Sequence, residues 1–91
     1  MRIKVEIFYP RLKGLIGNPD TLELDGENIG QCLDALVKRF PAAGKLLFDE
    51  RGNLRRQVYV YVNAESIYKS VPDAPVKDGD RLIIAALIAG G

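Results

Sequence analysis

Few side chains in this chain are of types that do chemistry, and their spacing removes most of the usual reactions. There is no histidine and a single cysteine, Cys32. The Ser-His-Asp and Cys-His sets for nucleophilic catalysis and the common zinc ligand sets therefore cannot be assembled, and no metal site is expected. Carboxylate-only acid-base chemistry has two candidate pairs, Asp49-Glu50 and Asp78-Gly79-Asp80. Both stand in turn contexts, where aspartate serves the backbone, so neither makes a convincing acid-base pair. Gly14 and Gly17 lack the Gly-Lys-Ser/Thr ending and the strand-to-helix junction of a phosphate cradle, and read as a plain loop. Cys32 is a possible thiol or thioester site, but it falls on an apolar helical stripe where burial makes a thiol inert. Arg51, Arg55 and Arg56 form a local basic patch able to dock an acidic partner, although a solvated loop explains them as well.

The remaining candidate is the end of the sequence, where an apolar run passes through Ile88 and Ala89 into Gly90-Gly91. Residues without a Cβ adopt backbone angles closed to others and can thread a narrow channel, so the carboxylate of Gly91 can reach an active site on another protein. A carboxylate is unreactive toward nucleophiles. Adenylation by ATP would make it a mixed anhydride, after which a sulfur donor would leave a thiocarboxylate or an amine would form an amide. The dipeptide alone is equally compatible with a frayed end.

Such a tail needs a scaffold, and hydropathy periods outline one. Ile3, Val5, Ile7 and Tyr9 alternate with Arg2, Lys4, Glu6 and Phe8, the period of a half-buried strand ended by Pro10. The stretch 12–20 reads as turn chemistry, and residues 21–24 alternate again, which predicts a two-strand hairpin. Ile29, Cys32, Leu33, Leu36, Val37 and Phe40 then mark one face of a helix. Asn28 caps its start, Gln31 sits where a capping-box partner would, and Pro41 stops it. Residues 41–57 are the least regular, with a short turn at 46–48 packed beneath a loop at 49–53. Val58 to Val62 is a strong strand, a short edge segment falls near 66–68, and the turn at 78–80 launches an almost wholly apolar strand from Arg81 to Ile88. A strand apolar on both faces belongs at the centre of a sheet or under a partner.

One helix covering one sheet makes an α+β domain. The 91 residues can bury roughly 60–65% of the unfolded chain's surface, enough for one core, and no linker divides them, so a single domain over 1–91 is expected. Thirteen basic against twelve acidic side chains give +1, no footprint for nucleic acid or an anionic membrane. The longest apolar stretch falls well short of the ~20 residues of a membrane helix, charges interrupt the N-terminal segment, and a lone cysteine suits a reducing compartment. A cytoplasmic location is the expectation.

Four segments together resemble the MoaD/ThiS sulfur carriers, bacterial relatives of ubiquitin. They are the opening strand through Tyr9 with Pro10-Arg11-Leu12, the helix from Ile29 to Leu36, Val60-Tyr61-Val62-Asn63, and Lys77-Asp78-Gly79-Asp80 leading to Ala89-Gly90-Gly91. The acidic-Gly-acidic turn stands at the family's usual distance from the terminal glycines. Where many members carry Pro-Pro before the tail, this chain has Ala86-Leu87, which implies a less rigid tail. The resemblance implies a β-grasp fold, a mixed sheet of four to five strands on one main helix, and a carrier without catalysis of its own. An adenylating enzyme related to the ubiquitin activators would consume ATP to charge Gly91, and a sulfur-donor system would deliver sulfur. The acceptor would be a larger molybdopterin synthase subunit, the thiamin thiazole or a cysteine synthase. Chain length and the stretch 41–57 favour the molybdopterin and cysteine branches. A protein modifier joined through Gly91, or a nonreactive β-grasp module, is the alternative. If Ile3, Val5 and Ile7 face the helix, an exposed apolar patch on the other face takes in Phe8, Tyr59, Tyr61 and part of the Ile83, Ala85, Leu87 row, a docking surface for both partners.

Overall fold

A computed structural model describes residues 2–63, the backbone of 65–67, and 75–86. Strand β1 (Arg2–Phe8) is followed by helix α1 (Pro10–Leu15), β2 (Leu22–Asp25), α2 (Ile29–Arg39), α3 (Ala43–Leu47), β3 (Val58–Val62), β4 (Glu65–Ile67) and β5 (Arg81–Ala86). The five strands form one sheet in the order β2-β1-β5-β3-β4. The central pair β1 and β5 is parallel and every other pairing is antiparallel, the mixed sheet of a ubiquitin-like β-grasp fold. The most apolar strand holds the middle position, where both edges are paired and neither meets solvent.

Alternation in β1 buries Ile3, Val5 and Ile7 on one side and leaves Lys4 and Phe8 on the other. The buried rows run across strands: Ile7 stands beside Ile84, which stands beside Val60, and Val5 beside Leu82 beside Val62. Helix α2 lays Ile29, Cys32, Leu33 and Leu36 onto the same core, with Val37 and Phe40 partly buried at its margin. Its cap works as a relay. Asn28 Oδ1 accepts from the Gln31 amide at 2.8 Å, while Gln31 Oε1 accepts from the Glu27 amide at 2.9 Å, one residue earlier than in the usual capping box. Lys38 and Arg39 occupy the last turn, where cations suit the negative end of the helix dipole.

Two irregular stretches are more ordered than the sequence indicated. The segment read as turn chemistry holds α1, because Pro10 supplies a helix-ready φ at the first position and Leu12 and Ile16, one turn apart, are both buried. Tyr9 accordingly caps that helix instead of ending the strand. The stretch 41–57 contains α3, whose Ala43 and Leu47 enter the core, and a bridge between Phe48 and Leu54 closes the loop between them. The short edge strand lies at Glu65–Ile67, and the last strand is described as far as Ala86; residues 87–88 of the expected strand lie outside the described part. No helix among the described residues is long and apolar enough to cross a membrane.

Candidate functional site

The sheet face turned away from α2 carries the expected patch, and the strand register fixes its geometry. Phe8 on β1 and Tyr59 on β3 both stand opposite Ala85 of β5. Glu6 and Tyr61 both stand opposite Ile83. Adjacent strands lie about 4.8 Å apart, so Ala85, small and flanked by two aromatics, leaves a local dip in this face. Phe8 is 60% exposed; Tyr59, Tyr61, Ile83 and Ala85 are half-buried. Five of the six expected patch residues thus share one face. The sixth, Leu87, lies outside the described residues, as do Ile88, Ala89, Gly90 and Gly91.

Polarity changes along this face. At the start of β5, Arg81 Nε donates to Glu6 Oε1 at 2.8 Å, and Arg2 Nε stands 3.4 Å from Glu23 Oε2. An open cleft of about 610 Å³ lined by Arg2, Lys4, Glu23, Asp78, Gly79 and Arg81 lies there. Toward Ala86 the face is apolar, and a groove of about 350 Å³ runs beside it between Phe8, Pro10, Lys13 and Asn18. Ala86, the last described residue of β5, stands at the apolar end. Sequence reasoning missed α1's part in that groove. The one signal for it was Pro10 followed by Leu12 and Ile16 at helical spacing.

The residues set aside as catalysts have structural employment. Asp78 Oδ1 accepts from the Arg2 amide at 2.9 Å, and Asp80 Oδ2 from the Lys77 amide at 2.8 Å. Hydrogen bonds from Asn63 and from Lys77 hold the Asp80 carboxyl below its ordinary pKa. Asp49 Oδ1 accepts from the amides of Arg51 and Asn53, which closes its own turn. Cys32 is fully buried, and burial pushes its thiol pKa up, away from the reactive thiolate. Among the described residues there is no cluster of side chains that would hold a metal ion.

The ThiS family matches residues 7–91. A chain of the Amycolatopsis orientalis BexX/CysO complex is 31% identical over 98% of this chain and 99% of its own, with a TM-score of 0.82. Small archaeal modifier protein 1 from Methanosarcina acetivorans is 26% identical over 99% of this chain and 96% of its own, with a TM-score of 0.81. A chain in the complex of subunits 1 and 2 of the Helicobacter pylori molybdopterin-converting factor shares the fold at a TM-score of 0.64 and 19% identity, each chain covered in full. No curated protein matches the sequence.

Proposed function

This chain belongs to the ThiS family, and we propose that it works there as a sulfur carrier whose reactive group is the carboxyl of Gly91. The observation that supports the reading is the open sheet face: Phe8 and Tyr59 flank Ala85 on β5, whose last described residue, Ala86, stands five positions before Gly91. In the proposed sequence the Gly91 carboxylate attacks the α-phosphorus of ATP on a partner enzyme and pyrophosphate leaves. A sulfide-equivalent donor then attacks the acyl carbon, AMP leaves, and a thiocarboxylate remains. Transfer of that sulfur to an acceptor and addition of water restore the carboxylate. The chain binds no cofactor and serves as a noncatalytic subunit in the cytoplasm, with Ile88, Ala89 and Gly90 as the threading segment. The open-face patch docks an adenylating enzyme and then an acceptor synthase of the cysteine or molybdopterin type.

Support for an acceptor comes from the relatives, one described in complex with BexX and one with its second subunit. Likeness to small archaeal modifier protein 1 supports a second reading, a modifier that forms isopeptide bonds through Gly91. Incubation with ATP and candidate adenylating enzymes, followed by intact-mass measurement, tests both. An acyl-adenylate at Gly91 and, after a sulfur donor, replacement of one oxygen by sulfur are expected. Covalent ladders on other proteins would favour the modifier, and function retained after deletion of Gly90 and Gly91 would leave only a nonreactive module.

A further inference from the structure

The elements at the Ala86 end of the sheet carry several cations. Helix α1, which carries Arg11 and Lys13, follows directly from the strand end at Phe8 and packs against α3. Arg55 Nε donates to the carbonyl of Lys45 on α3 at 2.8 Å, and Arg56 lies two residues before Val58, the partner of Ala86 in the sheet. Arg11, Lys45 and Arg56 are exposed. Among the described residues none of these five cations forms an ion pair; the two described ion pairs join Arg2 with Glu23 and Arg81 with Glu6. Of the acids beside Arg55, Asp49 accepts from the amides of its own turn and Glu50 is exposed, which leaves the cations in excess. At the opposite end Glu23, Asp25, Glu27, Asp78 and Asp80 stand among Arg2, Lys4, Lys77 and Arg81, close to balance, so that end has no matching surplus of positive charge.

We infer that this cationic fringe is the electrostatic part of the docking surface, matched to an acidic rim around the cleft of the adenylating partner that receives the tail. The inference rests on the sulfur-carrier reading and specifies the partner's chemistry. Residues 87–91 extend at most about 17 Å, so any protein that takes them in brings the rim of its cleft against the residues around Ala86. Opposite charge there steers encounter and fixes orientation, an effect that salt screens.

The test is adenylation of Gly91 by a candidate enzyme, followed by mass at several KCl concentrations. Arg11→Glu/Arg56→Glu is expected to raise KM about tenfold or more at low salt with kcat unchanged, the gap closing as KCl rises. Lys77→Glu, a reversal at the far end, should stay close to wild type. Arg11→Gln/Arg56→Gln should give an intermediate effect, and it stands in if the double reversal does not fold. Wild-type kinetics in the folded charge variants would overturn the inference while leaving the carrier reading intact; no adenylation of the wild type by any candidate would overturn the carrier reading itself. Binding of wild type, but not of the variants, to a polyuridylate probe would reassign the fringe to a polyanion.

Discussion

Asn63 holds Asp80 through a hydrogen bond of 3.0 Å from Nδ2 to Oδ1, while its own carboxamide oxygen accepts from the Arg81 amide at 3.0 Å. Asn63 sits at φ 52, a left-handed conformation that asparagine tolerates better than most residues. One side chain thus ends β3, starts β5 and fixes the turn between Lys77 and Asp80. The clip thereby fixes the start of β5, the strand that precedes the Gly-Gly end in the sequence.

The Asp80 carboxyl has a lowered pKa in the folded state, so it binds a proton less readily there than in the unfolded chain. Its contribution is complete above the ordinary carboxylate range and is lost as pH falls through the folded value. Wild-type melting temperature should therefore decline on acidification, and Asp80→Asn should flatten that part of the decline. At neutral pH, Asn63→Ala should cost about 1–2 kcal/mol and Asn63→Gly less, since glycine keeps the backbone angle and loses only the side-chain bonds. Thermal melts from neutral to acid pH check both.

Gly26 packs so closely on α2 that a Cβ there would stand 2.7 Å from Cys32 Sγ and 2.8 Å from the Cys32 amide nitrogen. Gly26→Ala should destabilise by about 1–3 kcal/mol. Adding Cys32→Ala removes the sulfur clash but not the backbone one, so the double variant should recover little. A double-mutant cycle in urea gives the answer; full recovery would show that only the sulfur matters.

The Cys32 thiol, buried and raised in pKa mainly by that burial, should be alkylated about a hundredfold or more slowly in the native protein than in urea. Timed iodoacetamide labelling read by mass decides it. Rapid native labelling would return Cys32 to the list of reactive groups.

Ile7 and Phe8 are neighbours on opposite faces, 4% and 60% exposed. Ile7→Ala should cost about 2–4 kcal/mol, whereas Phe8→Asp should change stability by about 0.5 kcal/mol or less. On the proposed carrier function, Phe8→Asp should nevertheless slow adenylation of Gly91. Urea unfolding alongside the adenylation assay separates the two effects.

Elements with a strong hydropathy period could be read from the sequence almost residue by residue: β1, α2 and β3 carry alternation or a helical stripe long enough to exclude other readings. Helix α1 could not, because six residues give fewer than two turns of periodicity and Gly14 and Gly17 look like a loop. Helix α3 was hidden for the same reason, with five residues and an alanine cap that makes no side-chain bond. The patch of Phe8, Tyr59, Tyr61, Ile83 and Ala85 followed from alternation once β1 and β5 were taken as neighbours. Of the cationic fringe the sequence showed the arginines of the 51–56 stretch as a basic patch, but not the addition of Arg11 and Lys13, which depends on the packing of α1 on α3.

The central position of β5 has a mechanical meaning. A pull on the C-terminal end is directed along a strand bonded on one side to β1 in parallel and on the other to β3 in antiparallel. Such a load must shear two ladders at once, because no outer edge is available from which to peel them bond by bond. A load on the end of β5 is thus resisted by both ladders together.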